Sequence, residues 1–271
     1  MTVREALAEA AGALEQAGVP SPAVDAEWLL AHTLGVRRSE LYGADLDGRL
    51  DDFRELVRRR AAREPLAYVL GEWGFRGLTL VVDPRVLIPR PETETVVERC
   101  LTLLVDVAEP AIMDVGVGSG AIALALADER PDAVVVGTDA SAAALEVAEE
   151  NRRRTGFDER VRLVYGDLLA GETGPFDLVV SNPPYVAPDE LPRLEPELQH
   201  EPREALVGAG RELPIARAAN GALGAGGALV LEVGDGRACD VAATLVALGY
   251  ADVKVSNDLT GRQRVVDGRR R

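Results

Sequence analysis

The segment AIMDVGVGSGAIALALADE, residues 111–129, constrains the fold more than any other part of the chain. A short apolar run leads straight into a turn with glycines at 116, 118 and 120, and an alanine-rich helical stretch follows. Without a Cβ, such glycines let the backbone turn sharply and let a ligand press against it. The spacing argues against a dinucleotide fingerprint, which wants G-x-G-x-x-G, because the third glycine arrives one residue early and is followed by Ala121. A strand, turn and helix of this kind need further strands beside them. The chain offers apolar runs at Val134–Thr138, Val161–Tyr165, Phe176–Ser181 and Ala228–Val233, with two more near Val253–Val255 and Arg264–Val266. Strands alternating with helices predict an α/β fold with a doubly wound sheet, whose ligand lies at the carboxyl ends of the strands. The Ala/Gly-rich stretch Gly221–Ala228 reads as a helix end and turn.

The chain before that sheet has a different period. Thr2 and Glu5 fit a capping box, and Val3, Leu7, Ala10 and Leu14 form one apolar stripe. Ser21-Pro22 reads as a cap and first helical position of a helix that passes through Val24, Trp28 and Leu29 and stops at Gly35. Another helix fits Leu50 to Arg63, with Phe53, Leu56 and Val57 inward and the run Arg58–Arg60 on a solvated face that suits the helix dipole. Residues 71–91, GEWGFRGLTLVVDPRVLIPRP, favour a hairpin. The predicted organisation is a helical domain at 1–70, a hairpin connector at 71–91 and a ligand-binding α/β domain at 92–271.

Composition narrows the function. A formal net charge of −15 repels a phosphate backbone, so direct nucleic-acid binding is not expected. The two cysteines, Cys100 and Cys239, are isolated and read as buried small apolar residues. The amino-terminal stretch is amphipathic and no apolar run approaches a membrane span, which predicts a cytoplasmic protein without membrane attachment. His32 and His200 have no partner at metal-ligand spacing; both read as structural or substrate-rim residues, and no metal is expected.

Three acids end strands. Asp114, two residues before Gly116, suits the ammonium of an amino-acid ligand better than a pyrophosphate. Asp139 either accepts from both ribose hydroxyls of an adenosine or caps the next helix, a role Ser141 also fits. Asp167, with Leu168 beside it, faces an adenine edge or is an ordinary turn aspartate. The fourth strand ends in Asn182-Pro183-Pro184-Tyr185. Two successive prolines have no N–H to continue a ladder, so the loop is stiff and its carbonyls lack local donors. The Asn182 side-chain oxygen and the Pro183 carbonyl can then accept both hydrogens of one planar NH2 group, with the Tyr185 ring as a flat packing face. Such a clamp turns a weakly nucleophilic amide or amine nitrogen toward an electrophilic methyl, and alignment of this sort is worth about 7–11 kcal/mol of barrier.

The set DVGVGSG, GTDAS, GDLL and SNPPY resembles class I methyltransferases acting on exocyclic or amide nitrogens. The stretch PLAYVLGEWGFRGLTLVVDPRVLIPRPETE at 65–94, EPREAL at 201–206 and the closing GRQRVV resemble the HemK-type release factor glutamine methyltransferases over nearly the whole chain. That resemblance implies a Rossmann-like, seven-stranded class I fold, S-adenosyl-L-methionine as methyl donor, and the N5 amide of a Gly-Gly-Gln glutamine in class 1 peptide chain release factors as acceptor. It implies that Asp114, Gly116, Val117, Gly118, Ser119, Gly120, Asp139, Ala140, Asp167 and Leu168 hold the donor. It likewise implies that Asn182, Pro183, Pro184 and Tyr185 hold the glutamine, with Asn182 also near the donor, and that the helical domain holds the body of the factor. Arg90 and Glu92 lie at the junction and order the site. Val117 replaces a common hydroxyl residue, and His200 stands where an aromatic is expected. Two rival readings are a nucleic-acid adenine-N6 or guanine-N2 methyltransferase, which would carry a basic domain to hold a flipped base, and a non-catalytic protein that retains the fold as a scaffold.

Overall fold

The computed structural model describes residues 1–46 and 48–271. The chain divides into two compact units, Met1–Glu72 with Leu194–His200, and Trp73–Arg193 with Glu201–Arg271.

The first unit is helical. Helix α1 (Val3–Gln16) starts at the expected capping box, with Thr2 Oγ1 accepting from the Glu5 N–H and Glu5 Oε2 accepting from the Thr2 N–H. Helix α2 (Pro22–Leu34) places Pro22 where no N–H is missed and ends at Gly35 in the left-handed region. Helices α3 (Leu50–Ala61) and α4 (Leu66–Leu70) complete the unit. Leu7, Leu14, Leu29, Leu30, Phe53 and Val57 meet in one core.

The end of α3 departs from expectation, because the arginine run is not a wholly solvated face. Arg60 is 5% exposed, donating Nε to Asp25 Oδ2 at 2.8 Å and Nη1 to Glu197 Oε1 at 2.9 Å. The helix also stops at Ala61 rather than Arg63, which takes a positive φ of 67° and donates twice to Glu197. Burial alone would raise the Glu197 carboxyl, but the Arg63 and Arg60 guanidiniums outweigh it and hold the group at about 2. A buried charge needs such partners, which an apolar-period reading of α3 cannot supply.

Strands β1 (Glu72–Phe75) and β2 (Leu78–Val81) pair with each other as a two-stranded hairpin. The chain then runs through α5 (Pro91–Leu103), β3 (Ala111–Val115), α6 (Ala121–Glu129), β4 (Val134–Asp139), α7 (Ala142–Thr155), β5 (Val161–Tyr165), β6 (Phe176–Ser181), α8 (Arg203–Leu206), α9 (Glu212–Ala222), β7 (Leu223–Glu232), α10 (Ala238–Ala247), β8 (Ala251–Asn257) and β9 (Gln263–Arg269). The last seven strands form one sheet in the order β5-β4-β3-β6-β7-β9-β8, with β9 antiparallel to its neighbours and the first five strands of that order parallel. Side chains alternate between two apolar layers. Ile112, Leu178 and Val230 pack with Val97 and Leu124 of α5 and α6. Met113, Val179 and Leu229 pack with Ile215 and Leu245 of α9 and α10. The period of two thus feeds helices on both faces of the sheet.

The chain reverses its direction of winding at β3, whose neighbours are β4 on one side and β6 on the other. Connections leave this point in opposite directions and open a crevice at the strand ends. Two readings need correction. The segment expected to be a helix end and turn is largely strand, since β7 begins at Leu223. Its register against β6 slips between Phe176 and Leu178, and a Cβ on Gly227 would stand 2.9 Å from the Phe176 carbonyl oxygen, so the glycine permits a close backbone approach. Cys100 is buried, but Cys239 is exposed, on the side of α10 opposite the buried Ala238, Val241 and Leu245. Among the described residues no helix is long and apolar enough to cross a membrane.

Candidate active site

The turn after β3 is folded back on the end of β4. The N–H groups of Gly116 and Val117 both donate to the Thr138 carbonyl at 2.8 Å. Gly116 and Gly118 have φ of 78° and 55°, which a side chain would strain, and a Cβ on either would meet nothing within 4 Å. The loop therefore presents bare backbone to open space. Val117 uses its side chain inward: a Cβ on Gly137 of β4 would lie 2.8 Å from Val117 Cγ2. Asn151, buried on α7, ties the turn to the hairpin by donating Nδ2 to the Ser119 carbonyl at 2.9 Å and accepting the Val81 N–H on Oδ1 at 2.7 Å.

Of the two cap candidates at this strand end, Ser141 and not Asp139 caps α7, and Asp139 instead holds the turn. Its Oδ2 accepts from the Gly118 N–H at 2.9 Å and its Oδ1 from the Ser141 N–H at 2.8 Å, while Ser141 Oγ caps α7 through the Ala144 N–H. Each carboxylate oxygen keeps a further lone pair for a ligand hydroxyl. Burial raises this carboxyl in spite of the two amides. Asp114 lies deeper. It is fully buried, Oδ2 accepts from the Ala123 N–H at 3.0 Å, and Oδ1 has no partner among the described residues. Burial pushes its carboxyl up to about 7, with the charge of Asp139 adding to the push.

Asn182 follows β6 directly, and Ser181 anchors that strand end by donating Oγ to the Val115 carbonyl at 2.6 Å. The Asn182 Nδ2 donates to Thr93 Oγ1 at 3.2 Å, and Thr93 Oγ1 donates to Glu232 Oε2 at 2.7 Å. Neither Asn182 Oδ1 nor the Pro183 carbonyl receives a protein donor among the described residues. Beyond them, Val186 bridges to Val207, and a Cβ on Gly208 would stand 2.6 Å from Pro184 Cγ. The Tyr185 ring packs on Gly234, where a Cβ would meet Cδ2 at 3.1 Å, and burial raises its phenol.

These segments meet in one cavity of about 580 Å³, within the size range of small-molecule sites. Gly116 through Ser119, Asp139 with Ala140, Asp167 with Leu168, and Asn182 through Pro184 line it. Asp114, Gly120 and Tyr185 do not: the first lies beneath the turn, Gly120 starts α6 against Leu124, and Tyr185 is turned to Gly234. Asp167 is held ionised by an ion pair with Arg211, also on the wall. Arg90 lines the cavity and pairs with Glu201, whereas Glu92 is not among the lining residues. Both histidines are exposed and outside the cavity. Among the described residues no cluster of metal-ligating side chains occurs. Thr93, Asn151, Arg211 and Glu232 were not among the residues expected at the site. A polar residue in the first turn of α5 and an acid at the end of an otherwise apolar β7 were the available signals.

Comparison with known proteins adds to this geometry. The family model described as the PrmC N-terminal domain matches residues 5–71, and that of the methyltransferase small domain matches residues 97–231. A release factor glutamine methyltransferase of Deinococcus radiodurans is 43% identical over 281 residues, spanning 100% of this chain and 99% of the relative. One from Geobacter sulfurreducens is 42% identical over 280 residues, spanning 99% of this chain and 96% of the relative. Among solved structures, a methyltransferase from Pyrococcus furiosus superposes with a TM-score of 0.53 at 19% identity, covering 81% of this chain and 97% of that one. At that identity the likeness concerns the fold.

Proposed function

This chain belongs to the family of release factor glutamine methyltransferases, and from that premise we propose that it moves a methyl group from S-adenosylmethionine to the N5 amide of the Gly-Gly-Gln glutamine in class 1 peptide chain release factors. The observation that carries the reading is the Asn182 side chain. It is tethered through Nδ2 while its Oδ1, with the Pro183 carbonyl, has no donor among the described residues, at the wall shared with the glycine turn.

The residues present fit the donor. Gly116 and Gly118 offer backbone that a ligand can approach without meeting a Cβ, Asp139 keeps lone pairs for two ribose hydroxyls, and Leu168 supplies an apolar face beside Asp167. The unpartnered oxygen of Asp114 beneath the turn sets a negative potential suited to an ammonium. When bound, S-adenosylmethionine supplies an electrophilic methyl on a sulfonium sulfur. Asn182 Oδ1 and the Pro183 carbonyl take the two hydrogens of the glutamine NH2, which fixes the plane of the amide and raises electron density on its nitrogen. The stiffness of Pro183-Pro184 keeps the two acceptors at a set distance. The helical amino-terminal unit holds the body of the factor, and the substrate places the reaction in the cytoplasm.

The test is transfer of labelled methyl to a purified release factor, to its Gly-Gly-Gln variant with alanine for glutamine, and to DNA and RNA controls. Label on the unmodified factor alone is expected. Label on nucleic acid alone would keep the chemistry of the clamp but reassign the substrate.

A further inference from the structure

Resting on the reading of Asn182 as the glutamine clamp, we propose that Thr93 and Glu232 form a positioning relay that decides which way round the Asn182 amide stands, and thereby turns its oxygen toward the acceptor glutamine. An asparagine amide is nearly symmetric in shape, with an oxygen on one side and an NH2 on the other, so the space around it does not choose between them. Hydrogen-bond polarity does. Thr93 Oγ1 has a single proton and spends it on Glu232 Oε2, at 2.7 Å. Its lone pairs are what remain for Asn182, and they accept from Nδ2 at 3.2 Å. Turned over, Asn182 would set Oδ1 against those lone pairs, with no proton between two acceptors.

The relay is buried at its inner end: Thr93, on the cavity wall, is 4% exposed, and Glu232 behind it is 1% exposed. Its members come from the loop after β6, the first turn of α5 and the end of β7, at separations of 89 and 139 residues. Glu232 lies outside the cavity wall, so it acts only through Thr93 and is a positioning residue. The charged and titratable groups felt around it are Arg264, Glu92, Arg90 and the Tyr185 phenol. Burial, opposed by the Thr93 hydroxyl and Arg264, pushes the Glu232 carboxyl up to about 7. A proton taken up there lets Glu232 donate to Thr93, whose own proton then turns to Asn182 and reverses the relay.

Wild type, Thr93→Val, Thr93→Ser and Glu232→Gln are compared for methyl transfer to the release factor at saturating donor and factor. Thr93→Val keeps the shape but cannot accept from Asn182, so kcat is expected to fall at least about tenfold while the donor Kd stays within about twofold. Thr93→Ser restores the hydroxyl and is expected to recover kcat to within about threefold of wild type. Wild-type kcat should decline as the pH falls below about 7, and Glu232→Gln should lack that acid limb. Thr93→Val at wild-type kcat overturns the relay. So does a loss that Thr93→Ser shares in full while both variants melt early, which marks packing instead. A wild type that puts no label on the factor removes the substrate reading and the relay with it, and the wild-type sample alone tells that failure apart.

Discussion

Replacing Asp114 by asparagine tests the electrostatics beneath the glycine turn. The carboxylate is fully buried, with one oxygen on the Ala123 N–H and the other without a partner among the described residues. Burial lifts it from the ordinary 3.8 to about 7, against the Ala123 N–H and with help from the charge on Asp139. The folded protein therefore keeps a proton on Asp114 at pH values where the unfolded chain has released it. The stabilisation from that proton is complete below about pH 4 and disappears as the pH rises through about 7. At about 1.4 kcal/mol per unit, over the roughly two units between pH 5 and the folded-state value, the wild type loses about 3 kcal/mol between about pH 5 and about pH 8. Asparagine keeps the shape and the bond to Ala123 but has nothing to titrate. In urea unfolding at the two pH values, the variant should gain about 3 kcal/mol on the wild type in moving to the higher pH. The same variant should bind the methyl donor more weakly, because an amide brings no negative charge to an ammonium. A stability difference that stays constant within about 0.5 kcal/mol across the range would refute the reasoning, since the buried carboxylate would then be costing nothing.

Asp139→Ala removes the proposed acceptor of the ribose hydroxyls and also frees Gly118, so the donor Kd by calorimetry should rise at least about 10-fold, one charge-assisted bond alone being worth about 1.5–3 kcal/mol; an unchanged Kd would leave Asp139 only its hold on the Gly118 and Ser141 N–H groups. Gly208→Ala puts a Cβ 2.6 Å from Pro184 Cγ at a position with no backbone strain, so it should shift the clamp loop, costing about 1–3 kcal/mol in urea unfolding and at least about tenfold in kcat at saturating donor. Full activity there would show that the loop tolerates displacement. Arg60→Met strips a buried charge from Asp25 and one of two partners from Glu197, and should destabilise by about 3–5 kcal/mol in urea unfolding; a loss below about 1 kcal/mol would mean that the pair is effectively solvated.

The central strands are legible in the sequence because a strand covered on both faces is apolar along most of its length, and β3 and β6 run Ala111–Val115 and Phe176–Ser181 as anticipated. The glycine turn and the Asn182 loop are legible for a related reason: their positive φ values and missing N–H groups are local demands that glycine and proline meet at least cost. The beginning of β7 is not, because a strand that passes close to the Phe176 carbonyl has the same glycine-rich composition as a turn. Arg60 misleads because its surface and buried versions differ only in partners 35 and 137 residues away. Thr93 and Glu232 are illegible on the same ground: no periodicity links two residues 139 positions apart, and each alone is an unremarkable helix-start threonine and strand-end acid.

The acids at the strand ends also explain why the crevice suits a cation although arginines stand on its wall. Arg85 is paired with Asp83 and Glu146, Arg90 with Glu201, and Arg211 with Asp167, so each wall cation is already neutralised by a carboxylate. Asp139 and Asp114 have only backbone amides, and no cation pairs with either among the described residues. Their raised carboxyls express that shortage of positive charge, since burial disfavours the ionised form wherever a counter-charge is missing. A ligand carrying both an ammonium and a sulfonium supplies what the protein withholds. Such a ligand favours the ionised form of both acids. A dinucleotide pyrophosphate would meet the opposite field, so charge and the shortened glycine spacing exclude it independently.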